Sequence, residues 1–278
     1  MPQFDRGWQI EPGERSAFLA YSADDEPVNW SPELEELHEE STHSHFIDRW
    51  TRAAILARMG PLDHGTTVAD IGCSTGYLLQ DLSAARPDCL LVGVDLVCSG
   101  LRKAHALVPE ARLIYADAGA LPLLGASVDG IVSSNLLEHV ADDVGALREF
   151  ARVLRAGARA VIVVPAGPRT YDYCDRFLGH ERRYAHRERA AKACQAGLEV
   201  LEDSSIASRL YPLFWLVKRR NRLLHGRLRG AELKQRVTAD IARTRGSRSV
   251  LALRYLEEAL RLRLPFDIRS IVVARKPQ

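Results

Sequence analysis

No stretch of this 278-residue sequence is apolar for long enough to cross a bilayer; its longest such run, Leu210 to Val217, is only eight residues and contains Pro212. The first residues lack a basic region and an apolar signal core, carrying Asp5 and Glu11 instead, so a cytoplasmic protein is expected. Cysteine is sparse and unpatterned. Cys73, Cys89, Cys98, Cys174 and Cys194 are odd in number and contain no C-x-x-C pair, which argues against a disulfide framework and a zinc site alike. Histidine shows no metal spacing either: His43 and His45 are the nearest pair, without a carboxylate or thiolate companion, so no metal is expected. There is no tandem repeat and no low-complexity segment.

Strong net charge is also missing, at +2, but the charge is unevenly spread. Residues 1–50 hold twelve acidic side chains against three arginines, whereas residues 209–263 hold fifteen Lys and Arg against four acids. Such asymmetry points to an anionic partner for the basic part, or to the two parts packing together. The remaining composition, 46% apolar and 27% charged, is that of a globular chain long enough for one large domain or two small ones, between which size alone does not choose.

What is present is organised around Val68-Ala69-Asp70-Ile71-Gly72-Cys73-Ser74-Thr75-Gly76-Tyr77-Leu78-Leu79. A short apolar run breaks at two glycines four residues apart and resumes with helical periodicity through Leu82, which predicts strand, tight turn and helix. Glycine lets a turn take positive φ or lets a ligand approach the backbone, and the first N–H groups of the following helix then face that ligand. Asp70 restricts the ligand: its carboxylate would repel a pyrophosphate and attract an ammonium or sulfonium group.

The pattern repeats downstream. Cys89 to Leu96 reads as a second buried strand ending in Asp95, placed at about the separation from the glycine turn at which doubly wound sheets set an acid on ribose hydroxyls. A helix from Ser99 to Leu107 leads to a third strand, Ala111 to Ala116, closed by Asp117 and Ala118, where Asp117 is placed to accept from an adenine amino group. A fourth strand, Val128 to Asn135, is followed by Leu136-Leu137-Glu138-His139 at the carboxyl edge where open α/β sheets bind ligands. A helix from Asp142 to Leu154 and a fifth strand, Ala160 to Pro165, complete an alternation that predicts a parallel sheet covered by helices on both faces.

The succession Val-Ala-Asp-Ile-Gly-Cys-Ser-Thr-Gly, Val-Gly-Val-Asp, Ala-Asp-Ala, Asn-Leu-Leu-Glu-His and Arg-Val-Leu-Arg-Ala-Gly resembles the class I S-adenosylmethionine-dependent methyltransferases over residues 45–206 and, more faintly, the last strand. The resemblance implies a Rossmann-like doubly wound sheet of seven strands, the last one antiparallel. It implies that Asp70, Gly72 and Gly76 hold the methionine end of S-adenosylmethionine, Asp95 the ribose, and Asp117 with Ala118 the adenine, with Cys73, Ser74, Leu96 and Asn135 lining the same site. Ser74 departs from the pattern, since many relatives carry a third glycine there.

The expected organisation is an N-terminal arm or lid (1–44), a cofactor-binding core (45–206), a helical cap insertion (207–265) and a last core strand (266–278) that pairs with Leu198 to Ile206. In the arm, Ser31-Pro32-Glu33 is a good helix start; a further helix is expected from Phe46 to Met59. Leu210 to Val217 is expected to be the core side of a cap helix, with Lys218-Arg219-Arg220 solvated; peripheral membrane contact through 210–230 is the alternative.

Methyl transfer requires alignment of an acceptor and, for a hydroxyl, removal of its proton. His139 and His180 are the imidazoles placed to act as that base. His180 opens a Gly-His-x-Arg-Arg-Tyr block, in which Arg182, Arg183 and Tyr184 either bind an anionic acceptor or pair with acids of the arm. Ser133-Ser134-Asn135-Leu136-Leu137 is not the Asn/Asp-Pro-Pro-aromatic signature of exocyclic or amide nitrogen methylation, so a small-molecule acceptor is favoured over RNA. An anionic, lipid-linked or natural-product acceptor fits that expectation. A fold that binds S-adenosylmethionine without transferring its methyl group is the alternative from another class.

Overall fold

The structure, a computed structural model, describes residues 3–4, 8–11, 14–21, 45–243 and 268–278. Its centre is β5 (Thr67–Ile71), whose Val68, Ala69, Asp70 and Ile71 are all buried because both faces of the sheet are covered. Successive residues serve opposite faces: Ala69, Ile71 and Ile131 join one apolar cluster, while Val68 and Val132 join the other. The chain runs outward from β5 to β6 (Leu90–Asp95) and β7 (Arg112–Tyr115), then crosses to β8 (Val128–Ser134) and β9 (Leu154–Pro165) on the other side, all parallel. That reversal between β5 and β8 leaves a crevice at the carboxyl edge.

Helices α1 (Phe46–Leu56), α2 (Tyr77–Ala85) and α3 (Cys98–Leu107) bury Ile55, Leu79, Leu82 and Leu101 against one face. Helix α4 (Asp143–Val153) buries Ala146, Leu147, Phe150 and Val153 against the other. Asp142 caps α4 by accepting the Gly145 N–H at 2.8 Å. The sheet ends with β10 (Glu199–Ile206) and β11 (Arg269–Arg275); β11 lies between β9 and β10 and is antiparallel to both.

Three features depart from the sequence expectations. The sheet has eight strands, because β4 (Phe18–Ala20) pairs in parallel with the outer edge of β7. Three residues are too few to display a period, so this strand carries no sequence signal. Part of the arm is therefore sheet edge; β1 (Gln3–Phe4), β2 (Trp8–Glu11) and β3 (Glu14–Ser16) form a small antiparallel sheet beside it, and the Trp8 indole donates to the Leu113 carbonyl at 2.8 Å. The expected helix at Ser31-Pro32-Glu33 lies outside the described residues.

Second, β9 begins at Leu154, not Ala160, since Leu154 already pairs with Val128 before a register shift. Third, the described part of the 207–265 segment holds α7 (Tyr211–His225) and α8 (Gly230–Arg243), after α5 (Tyr173–Phe177) and α6 (Glu188–Gln195), but α7 is turned around. Its buried residues are Lys218 and Asn221, while Leu213, Leu216 and Leu224 are 64%, 56% and 61% exposed. The reason is what α7 docks on: α5 presents the carboxylates Asp172 and Asp175, so the face that meets it is polar. Residues 244–267 of the insertion lie outside the described residues.

Candidate cofactor and acceptor site

After β5 the backbone reverses in a tight turn in which the N–H groups of Gly72 and Cys73 both reach the Val94 carbonyl, at 2.8 and 3.1 Å. Gly72 (φ 82°) and Gly76 (φ 85°) are left-handed. A Cβ at Gly72 would lie 2.9 Å from the Leu136 Cβ, and one at Gly76 2.8 Å from the Ala104 Cβ, so only glycine permits this turn to nest against the next loop and α3. Ser74 is also left-handed (φ 45°), a conformation that glycine adopts without steric cost and serine does not. It is held by Asp95: the Ser74 N–H donates to Oδ2 at 2.7 Å and the Val97 N–H to Oδ1 at 2.9 Å.

Asp70 is 1% exposed, and neither carboxylate oxygen has a hydrogen-bond partner among the described residues. Burial, and secondarily the charge of Asp95, push its carboxyl well above the usual range. Beyond β6 and β7, Leu96 packs against the apolar cluster, Asp117 accepts the Gly119 N–H at 2.6 Å, and Ala118 is buried. After β8, Asn135 is left-handed (φ 55°), its N–H on the Val163 carbonyl at 2.9 Å. These residues sit together at the carboxyl edge of β5, β6, β7 and β8.

Beside them the structure gathers Glu138, His139 and His180, whose ligand atoms all lie within 4.8 Å of one another. The two imidazoles meet edge to face with centroids 4.8 Å apart. His180 is oriented by Asp175, with Nδ1 2.8 Å from Oδ1, and by its carbonyl, which accepts the Tyr171 hydroxyl at 2.7 Å. Asp175 is itself fixed, because it closes a capping box with Asp172 at the start of α5 and accepts Arg183 Nε at 2.7 Å. Burial alone would raise Asp175, but the His180 hydrogen bond and the charges of Arg183 and Lys218 outweigh it and hold the carboxyl far below its usual range. Glu138 is 1% exposed with no hydrogen bond to either oxygen among the described residues, and burial pushes it up to about 7.

The rest of the Gly-His-x-Arg-Arg-Tyr block faces inward. Arg182 meets Asp143 at 3.1 Å and donates to the Ala141 carbonyl at 3.0 Å; Arg183 holds Asp175; the buried Tyr184 hydroxyl donates to Asp143 at 2.8 Å, which also takes Lys192 at 2.6 Å. Among the described residues the partners of these side chains are two internal carboxylates, Asp143 and Asp175. Sequence reasoning gave no role to Glu138, Asp172, Asp175 or Lys218. The signals were there, in a Glu-His pair at a strand edge, an Asp-x-x-Asp before the Gly-His, and one Lys closing an apolar run.

Fold and edge define an α/β protein of the Rossmann-like kind whose first turn suits a cationic ligand. Residues 69–162 match a family model described as a methyltransferase domain. A demethylmenaquinone methyltransferase of Roseiflexus sp. (strain RS-1) is 36% identical over 125 residues, 44% of this chain and 52% of that one. A trans-aconitate 2-methyltransferase of Azoarcus sp. (strain BH72) is 36% identical over 129 residues, 46% and 49% of the two chains. The chain thus spans about half the length of these relatives. Phosphoethanolamine N-methyltransferase 2 of Haemonchus contortus, solved with S-adenosyl-L-methionine, has the same fold, with a TM-score of 0.63, 17% identity, and coverage of 90% of this chain and 58% of that one. Over residues 69–162 the chain is thus similar to a methyltransferase domain, and its fold is that of an enzyme solved with S-adenosyl-L-methionine.

The residues present fit that cofactor. Asp70 is a buried carboxylate without a counter-charge, as an ammonium requires. The glycine turn is a cradle that a Cβ would fill. Asp95 accepts a backbone N–H on each oxygen and stands at the strand end, where a carboxylate can also accept from ribose hydroxyls. Among the described residues no helix is long and apolar enough to cross a membrane.

Proposed function

We propose that this protein transfers a methyl group from S-adenosylmethionine to a small-molecule acceptor. The observation that carries the proposal is Asp70, buried and uncompensated beside the glycine turn, with Asp95 and Asp117 at the same edge. Asp70, Gly72, Cys73, Ser74 and Gly76 hold the methionine end; Asp95 and Leu96 hold the ribose; Asp117, Ala118 and Asn135 frame the adenine and its approach. When bound, the cofactor supplies a methyl group already activated by its sulfonium, so this chain's own task is alignment, worth about 7–11 kcal/mol in favourable model reactions.

His139 and His180 are the groups that meet the acceptor's nucleophilic atom and its proton, with Asp175 setting the His180 ring. Arg182, Arg183 and Tyr184 act as scaffold for that wall instead of as an acceptor clamp, which their internal partners support. The exposed leucines of α7, flanked by the exposed Arg219, Arg220 and Arg222, favour an acceptor presented at an anionic lipid surface. The two relatives are named for demethylmenaquinone and trans-aconitate, both small molecules.

Incubating the protein with S-adenosylmethionine and pools of hydroxyl, amine and carbon-acid metabolites, free and in vesicles, tests this by formation of S-adenosylhomocysteine. Acceptor-dependent product supports the proposal. Tight cofactor binding without product in any pool overturns it in favour of a protein that binds the cofactor without methyl transfer, and turnover that requires RNA overturns the acceptor class.

A further inference from the structure

We infer that Glu138, His139 and His180 form a binding site for a divalent transition-metal ion at the acceptor edge. Three ligand atoms, two imidazole nitrogens and a carboxylate oxygen, lie within 4.8 Å of one another, close enough for small side-chain shifts to bring them round one ion. They come from two segments that a backbone hydrogen bond ties together: the turn after β8, whose Glu138 carbonyl accepts at 2.8 Å, and the loop after α5, whose Glu181 N–H donates.

Charge balance gives the second, independent observation. In this part of the molecule Asp172 is paired with Lys218, Asp175 with Arg183, and Asp48 with Arg269. Among the described residues Glu138 alone of these carboxylates has no ion pair and no hydrogen-bond partner for either oxygen, although it is 1% exposed; His180, Arg269 and Arg183 act on it only from a distance. A buried carboxylate in that position costs several kcal/mol unless a cation meets it. The His180 ring is already set for ligation. Its Nδ1–H points to Asp175 at 2.8 Å, which leaves the Nε2 lone pair for the ion, the carboxylate–histidine–metal arrangement by which proteins fix a ligand's tautomer. Two imidazoles with one carboxylate suit zinc, manganese, iron or cobalt over calcium or magnesium, which prefer all-oxygen shells. With three protein ligands the ion keeps open positions, where an acceptor hydroxyl or carboxylate can bind. Ion binding is measured apart from methyl transfer; with the ion bound, His139 and His180 meet the acceptor through it instead of taking its proton themselves, and that meeting alone rests on the function proposed above.

The test is titration of tag-free, chelator-treated and dialysed protein with Co²⁺, followed by visible d–d absorption, with S-adenosylhomocysteine binding measured calorimetrically on the same samples. One equivalent of Co²⁺ with ligand-field bands is expected. Glu138→Gln and His180→Gln should each weaken it by at least about 10-fold, and Asp175→Asn by about 10–100-fold, the range for removal of an outer-shell partner. The S-adenosylhomocysteine measurement reports that each variant is folded and separates this question from the cofactor site. Absence of stoichiometric Co²⁺ in wild-type protein that binds S-adenosylhomocysteine, or Co²⁺ binding equal in wild type, Glu138→Gln and His180→Gln, overturns the inference.

Discussion

Lys218 of the inserted helix α7 places its ammonium 2.8 Å from Asp172 and 3.6 Å from Asp175, the carboxylate that orients His180. An element outside the sheet is thereby tied to the wall of the candidate acceptor site by a buried ion pair. Tyr173 adds to the tie, since its hydroxyl donates to Asp240 of α8 and its ring meets His225 edge to face at 5.7 Å.

Removing that ammonium should be expensive. Lys218→Met keeps the aliphatic stem and leaves Asp172 and Asp175 as buried carboxylates with one cation fewer, and breaking one side of a buried pair costs about 3–5 kcal/mol. Urea denaturation followed by circular dichroism should show a loss of that order. A loss under about 1 kcal/mol would mean that the pair is solvated and that α7 is not anchored through it.

Asp70 makes the stability of the cofactor-free protein depend on pH. Its carboxyl in the folded protein is raised well above the unfolded value of about 3.9, first by burial and then by Asp95. The folded state therefore binds this proton more tightly. The stabilisation is complete below the unfolded value and is lost as pH rises through the folded one. Asp70→Asn escapes that loss, so at neutral pH the variant should unfold at higher temperature than wild type, with the gap closing toward pH 4. Binding of an ammonium requires the ionised carboxylate, so wild-type affinity for S-adenosylhomocysteine should rise with pH over the same interval. In the variant it should be weaker and flatter. A variant less stable than wild type at pH 7 would contradict an uncompensated Asp70.

Asp95 carries two loads that can be separated. It accepts the Ser74 and Val97 N–H groups, and each charge-assisted bond contributes about 1.5–3 kcal/mol. Asp95→Ala should lower stability by about 3–6 kcal/mol and S-adenosylhomocysteine affinity by at least about 10-fold. Asp95→Asn retains an acceptor for the turn but no charge, so most of the stability should return while most of the affinity loss remains. Calorimetry on both variants decides: full affinity in Asp95→Asn would confine Asp95 to holding the turn.

The sequence displayed these parts unequally, for physical reasons. Gly72, Gly76, Asp70 and Asp95 were legible because each answers a local demand, a left-handed turn or a charge at a strand end. The order of strands followed from the apolar runs and the crossovers between them. Strand β4 was not legible, since it exists only by pairing with β7. The approach of Glu138 to His180 was hidden as well, because β9 and α5 separate them in the chain and only the return of the loop beside β8 joins them. The apolar run Leu210 to Val217 was expected to be the core side of α7, and the structure instead buries Lys218 and exposes Leu213, Leu216 and Val217. Asp172 and Asp175 decided that by drawing Lys218 inward.

That inversion yields a prediction of its own. Leu213, Leu216, Val217, Leu223 and Leu224 are exposed on a helix that also exposes Arg219, Arg220 and Arg222. An apolar strip of this size among arginines matches the interface of an anionic bilayer, where each basic residue near the surface adds about 1 kcal/mol. The protein should co-sediment with phosphatidylglycerol vesicles, much less with phosphatidylcholine alone, and release as salt rises. Leu213→Glu combined with Leu224→Glu should reduce vesicle binding at least ~10-fold while leaving the melting temperature nearly unchanged, because both side chains are largely in solvent. If the double variant instead melts many degrees lower, the leucines are covered within the protein itself. If wild-type protein ignores anionic vesicles at low salt, α7 meets something other than a lipid surface, and the acceptor need not be lipid-linked.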